Sequence, residues 1–112
     1  MRMWMVDPAL MCRKHLLGEH VECHMLVGVL ARGKRIQGFL DRGLLEPAKV
    51  QARHDALARE MQKRGWNHQS PIRPTQWENS GYVDATASLA ELRRRCPDCD
   101  ERCHGREGKE PA

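Results

Sequence analysis

Apolar positions recur with helical spacing in three runs of the chain, separated by glycine- and proline-bearing stretches where the period lapses. In the first run Leu10, Leu17, Val21 and the group Met25, Leu26 and Val29 return at roughly 3.6 residues, the period of an amphipathic helix. Asp7-Pro8 ahead of it reads as an N-cap followed by proline at the first helical position, and Arg32-Gly33 closes it, so the spacing predicts a helix from Pro8 to Ala31. Three glycines between Gly33 and Leu45 predict a loop. Glu46-Pro47 repeats the start signal and Gly65 supplies a stop, which predicts a second helix over 47–64 with the stripe Val50, His54, Leu57 and Met61 and with His54 as a packed residue. From Trp66 to Gly81 the residues Asn67, Ser70, Pro71, Pro74 and Asn79 predict an irregular connection. Asp84 then caps a third helix along Ala85, Leu89, Leu92 and Cys96, which Pro97 must kink or end. Residues 104–112 read as a frayed tail beyond a domain of residues 1–103. Without a repeat or a two-residue alternation, the expected fold is all-α, a compact single domain of three helices with irregular connections.

Composition narrows this further. A chain of 112 residues, 40% hydrophobic, can bury about two-thirds of its unfolded surface, enough for one modest core and too little to enclose a large substrate. No run approaches the ~18 apolar residues of a spanning helix. The opening Met1 to Val6 lacks the length and cleavage site of a signal peptide, which predicts a cytoplasmic protein, in the nucleoid or a phage-infected host, with no membrane partner. The formal net charge of +4 is uneven: residues 96–112 hold three Lys/Arg and five Asp/Glu, leaving sixteen basic against ten acidic side chains, a net of +6, on residues 1–95. A polyanion such as nucleic acid suits that body. Five cysteines without an export signal argue for free thiols or metal ligands before disulfides.

Polar chemistry concentrates on the first helix. His15, Glu19 and Glu22 lie at i, i+4 and i+7 on one face, which by itself describes a solvated face. Within His15-Leu-Leu-Gly-Glu19-His20-Val-Glu22-Cys23-His24, however, three histidines, two carboxylates and a thiol take six of ten positions. His20 and His24 have the i, i+4 spacing of a zinc-protease helix, but Val21 follows His20 and the carboxylate falls at Glu22, so the hydrolytic motif is not met.

The start Met1-Arg2, the run His15-Leu16-Leu17-Gly18-Glu19-His20-Val21-Glu22 with Gly28 following, the turn Gly33-Lys34-Arg35-Ile36, and Arg64-Gly65-Trp66-Asn67 together resemble the pyrimidine-dimer DNA glycosylases of the phage endonuclease V type, in the family's order. Ala87-Ser88-Leu89 in the third helix is also similar. The resemblance implies a small all-α enzyme that cuts the glycosidic bond of a damaged or modified pyrimidine and then nicks the strand as an abasic-site lyase, with no cofactor and no metal. It further implies a nucleophilic N-terminal α-amine preceding an arginine, and an essential carboxylate on the first helix, here Met1 and Glu22. The second residue, Arg2, is too bulky for ordinary methionine removal, so Met1 is expected to persist. An α-amine is deprotonated more readily than a lysine, with class values of about 7.7–8.0 against about 10.4, which suits attack on sugar C1′ near neutrality.

Departures from the family bear on specificity. Val21 stands where the family has an arginine that touches DNA, and the family's aromatic, basic C-terminal segment is replaced by Cys96-Pro-Asp-Cys99-Asp-Glu-Arg-Cys103-His104. Double-stranded DNA carrying a lesion or modified base is the expected partner of a monomer, with contacts assigned to Arg2, His15, His20, Lys34, Arg35, Arg64, Trp66, Arg94 and Arg95. The terminal cluster has two readings: Cys96, Cys99, Cys103 and His104 as zinc ligands, the basis of an alternative in which the chain is a non-enzymatic, zinc-stabilised nucleic-acid-binding module, or the three cysteines as an apolar stripe past Pro97.

Overall fold

In the computed structural model, which describes residues 1–68, 70–72, 77 and 80–107, helix is the only regular structure among the described residues. Five α-helices run α1 Arg13–Ala31, α2 Gln37–Asp41, α3 Val50–Lys63, α4 Ala85–Arg95 and α5 Pro97–Glu107, with single 3₁₀ turns at Pro8–Leu10 and Pro47–Lys49. The all-α expectation holds; the count of three does not. Pro74, Asn79 and the tail beyond residue 107 lie outside the described residues.

Each departure has a local cause. Asp7 caps as its spacing predicts, its Oδ1 accepting from the Ala9 amide at 3.0 Å, but the turn stops after Leu10. Met11 and Cys12 are extended instead. Their groups have better partners elsewhere, since Arg64 donates to the Pro8 and Met11 carbonyls at 3.1 and 2.7 Å and the Cys12 amide donates to Cys99 Sγ at 3.2 Å. In the expected loop, five residues close as α2, held between Gly33 and Gly43, both in the left-handed region that glycine tolerates. Pro97, which ends α4 at an extended Cys96, is also well suited to the first position of a helix and starts α5, which continues through His104.

The core lies between α1 and α3, with α4 and α5 packed against each other and α5 reaching the Pro8–Leu10 turn. From α3 it takes Val50, Leu57 and Met61, as the stripe predicts, and from the C-terminal helices Leu92, Cys96, Cys99 and Cys103. The stripe on α1 is corrected: Val21 and Met25 are 54% and 50% exposed, and the buried face is Leu16, Glu19, His20, Cys23 and Leu26. Two of those five residues, Glu19 and His20, are polar and find their partners inside the fold, so hydrophobicity alone does not mark the face.

Candidate active site

The chain start is packed into the fold. Met3 donates its amide to the Leu44 carbonyl at 2.8 Å, and Met3, Trp4 and Val6 are buried. Between them Met5 takes φ +60°, a left-handed conformation that costs a residue with a side chain about 1–2 kcal/mol and is kept only where its surroundings impose it. Arg53 of α3 is one such constraint. Its Nη1 donates to the Val6 carbonyl at 2.6 Å, while Nε and Nη2 hold the two oxygens of Glu19 at 2.5 and 2.8 Å. At the other end of the segment the Arg2 guanidinium lies 3.7 Å from the Trp4 ring centroid and donates to Glu91 of α4 at 2.8 Å.

This double anchoring fixes the chain start on the side of the fold where its charge reaches Glu22. Both the Met1 ammonium and Arg2 act electrostatically on the Glu22 carboxylate. Glu22 is half-buried, and its pKa is raised from the usual carboxylate value. Burial is the largest cause and the Glu19 charge adds to it, against the opposing pull of the Met1 ammonium, the Arg2 amide and the Arg2 guanidinium. A carboxylate that is partly desolvated yet held by a cation and an amide can both steady positive charge and carry a proton.

The rest of the first-helix face is not solvated. Glu19 is 1% exposed and spends its charge on Arg53, a structural pair that the spacing of Glu19 did not reveal. His15 approaches Cys12 Sγ at 3.3 Å and Cys99 Sγ at 3.7 Å through Nδ1, and its pKa is lowered by burial and then by Lys14. His20 is buried in a nest of imidazoles, with ring centroids 4.6 Å from His54 and 4.9 Å from both His24 and His68. Burial, then His54, His24 and His68, push its pKa down to about 4. His20, His54 and His68 offer converging ring nitrogens, as do Cys12, His15, Cys96 and Cys99 a mixed thiol and imidazole set.

Of the basic positions, Lys34 and Arg35 are exposed on the turn after α1. Arg94 and Arg95 are exposed on α4 and approach Glu91 at 3.6 and 2.7 Å, so three arginines, Arg2 included, gather on one carboxylate beside the chain start. Arg64 is occupied differently, bracing the carbonyls of the first turn and pairing with Glu60 at 2.9 Å. Trp66 is half-buried, with Arg64 and Arg13 5.6 and 5.1 Å from its ring centroid.

The terminal ligand set expected from spacing does not assemble. Cys96 and Cys99 converge with Cys12 and His15, whereas Cys103 is buried a turn further on and His104 is exposed, 3.3 Å from Asp100. None of the five cysteines is bridged, as expected, and burial pushes the Cys23 thiol up to about 12, which keeps it inert. Arg53, Glu91 and Cys12 escaped the sequence reading. Only Arg53 left a signal there, as a charge one turn from Val50 and Leu57 on the α3 stripe.

Residues 1–74 match the family model described as pyrimidine dimer DNA glycosylase. No curated protein and no solved structure matches this chain.

Proposed function

This chain belongs to the pyrimidine dimer DNA glycosylase family, and from that premise we propose that it excises a damaged or modified pyrimidine through an imine on the Met1 α-amine and then cleaves the strand as an abasic-site lyase. The observation that carries this reading is a half-buried Glu22 on which the charges of the Met1 terminus and Arg2 both act, burial raising its pKa against them. The neutral amine attacks sugar C1′, and the glycosidic C–N bond breaks with its electron pair leaving on the base. The nitrogen gives up one proton, the C1′–O4′ bond breaks with its electron pair on O4′, which takes that proton, and the open-chain iminium remains. Glu22 first steadies the positive charge at C1′ and then accepts the C2′ proton, so that the C3′–O bond breaks by β-elimination.

A stacked base keeps C1′ from a partly buried amine, so the target nucleotide is flipped out of the duplex. Lys34, Arg35, Arg94 and Arg95 contact phosphates, Arg2 orients the reacting nucleotide, and Trp66 stacks on or wedges the opened step; His15, His20 and Arg64 support the interface from behind. The test is borohydride trapping on abasic and lesion-bearing duplexes. An adduct that maps to residue 1 and vanishes when the amine is acetylated or extended by one residue is the expected result; an adduct on Lys34 would overturn the assignment.

A further inference from the structure

Two short segments far apart in sequence are built alike. Cys12-Arg-Lys-His15 and Cys96-Pro-Asp-Cys99 each place an extended cysteine immediately before a helix and a second ligand in that helix's first turn. The two helix starts, of α1 and α5, meet. Their four ligand atoms all lie within 4.8 Å of one another, with Cys12 Sγ to Cys96 Sγ at 3.8 Å, Cys12 Sγ to His15 Nδ1 at 3.3 Å and Cys99 Sγ to His15 Nδ1 at 3.7 Å. A tetrahedral zinc with Zn–S near 2.3 Å and Zn–N near 2.0–2.1 Å requires S···S edges of about 3.8 Å and S···N edges of about 3.6 Å.

We propose that Cys12, His15, Cys96 and Cys99 hold a structural zinc ion that fastens the C-terminal helices to the start of α1. The backbone is already arranged for thiolates: the Cys12 amide donates to Cys99 Sγ at 3.2 Å and the Cys99 amide to Cys96 Sγ at 3.4 Å. Amide donors on ligating sulfur stabilise its negative charge and fix its direction. The three cysteines are buried, and four protein ligands leave no open position, so the ion is structural and has no part in the imine chemistry. Zinc enters from the open depression lined by Cys12, Arg13, Asp98, Glu101 and Arg102, and each thiol gives its proton to solvent on binding. The clip joins residue 12 to residue 99, closing most of the chain into a loop where unfolding entropy is greatest. The nest of His20, His54 and His68 is the rival for a cation; there both ring nitrogens of His54 are engaged, Nε2 by the Ser70 carbonyl at 3.0 Å and Nδ1 by Asp55 at 2.9 Å, while His20 and His68 already share a hydrogen bond between their Nε2 atoms at 2.9 Å.

The experiment uses the full chain, purified without chelator, with zinc measured by elemental analysis and cobalt(II) replacing zinc for spectroscopy. One zinc per chain is expected, along with a thiolate-to-cobalt charge-transfer band, intense tetrahedral d–d absorption, and a melting temperature that falls on chelation. Cys12→Ser and Cys99→Ser should lower occupancy by about tenfold or more, since each removes a ligand. Cys103→Ser and Cys23→Ser should keep it. If the serine variants do not fold, Cys99→His retains four ligands and should bind cobalt with a weakened charge-transfer band. A chain that binds no zinc and gives only octahedral cobalt overturns the proposal. So does zinc that survives Cys99→Ser and is lost in His20→Ala, which would put the ion in the imidazole nest.

Discussion

Glu19 and Arg53 form a bidentate, fully enclosed ion pair, at 2.5 and 2.8 Å, with the Glu19 side chain 0% and the Arg53 side chain 6% exposed. The pair joins α1 to α3, and through the Val6 carbonyl it also holds the segment that carries Met1. Removing one partner leaves the other buried and uncompensated, so Glu19→Gln should lower unfolding free energy by about 3–5 kcal/mol, a large share of the ~5–15 kcal/mol of an ordinary domain. Glu19→Leu with Arg53→Met should recover part of that loss. Urea denaturation of the three proteins checks it, and a Glu19→Gln midpoint equal to the parent's would show that the pair carries no stability.

Glu22, one turn later, should behave in the opposite way. Its carboxylate is disfavoured by burial, so Glu22→Gln should leave stability unchanged or raise it. The amide neither accepts the C2′ proton nor steadies positive charge, so base excision and strand cleavage should fall on the order of a hundredfold or more. Single-turnover rates on a lesion-bearing duplex, with the melting temperature taken alongside, separate the two effects. A variant that is both folded and fully active would remove Glu22 from the chemistry.

Acid should loosen the fold through His20. Its ordinary pKa of 6.5 is pushed down to about 4 in the folded chain, so the unfolded chain binds more protons between those values. The contribution is therefore fully present above pH 6.5 and is lost as pH falls toward 4, by on the order of 2 kcal/mol once partial solvent access is allowed for. Unfolding midpoints between pH 7 and pH 4.5 should decline, and His20→Asn should flatten the decline. An unchanged slope in that variant would assign the acid sensitivity to another group.

Gly81 and Gly18 make a contrasting pair. A Cβ at Gly81 would meet the Leu45 carbonyl oxygen at 2.5 Å and Leu40 Cδ2 at 2.6 Å, with φ at +104°. Gly81→Ala should cost about 2–3 kcal/mol. Gly18 lies inside α1 with nothing within 4 Å of a new Cβ, so Gly18→Ala should stabilise by about 0.5–1 kcal/mol. Thermal melts read both signs, and a neutral Gly81→Ala would mean that the chain yields at Leu45.

Basic residues should divide by what they already hold. Lys34→Ala and Arg35→Ala should weaken DNA binding across sequences and each lower the slope of log affinity against log salt by about 1. Arg64→Ala should chiefly lower the melting temperature, because its guanidinium braces the carbonyls of Pro8 and Met11. A large change in salt slope at Arg64 with no thermal effect would reverse that division.

Much of this was legible from spacing alone. Asp7, Asp84 and Gly65 mark their element ends because caps and left-handed stops act within a turn, and the α3 stripe follows its period. Glu22 was singled out through family resemblance, since its spacing on the first helix alone describes an ordinary carboxylate. What escaped depends on partners distant in sequence. Glu19 looks like a solvated carboxylate until Arg53 is seen against it, Met11 and Cys12 leave the helix for Arg64 and Cys99, and Cys12 reads as a lone thiol until Cys96 and Cys99 arrive from the other end of the chain.

The Arg2 contact with Glu91 reaches past the segment that matches the family, which ends at residue 74. Arg2, next to the first residue of the chain, is thus moored to a helix outside the matched region. Shortening the chain to its matched part would leave Met1-Arg2 and the run from His15 to Glu22 in place and cut that mooring, so α4 helps to set where the chain start lies. Variation at Glu91 can then shift how the chain start sits against α1 without touching a residue of the matched segment.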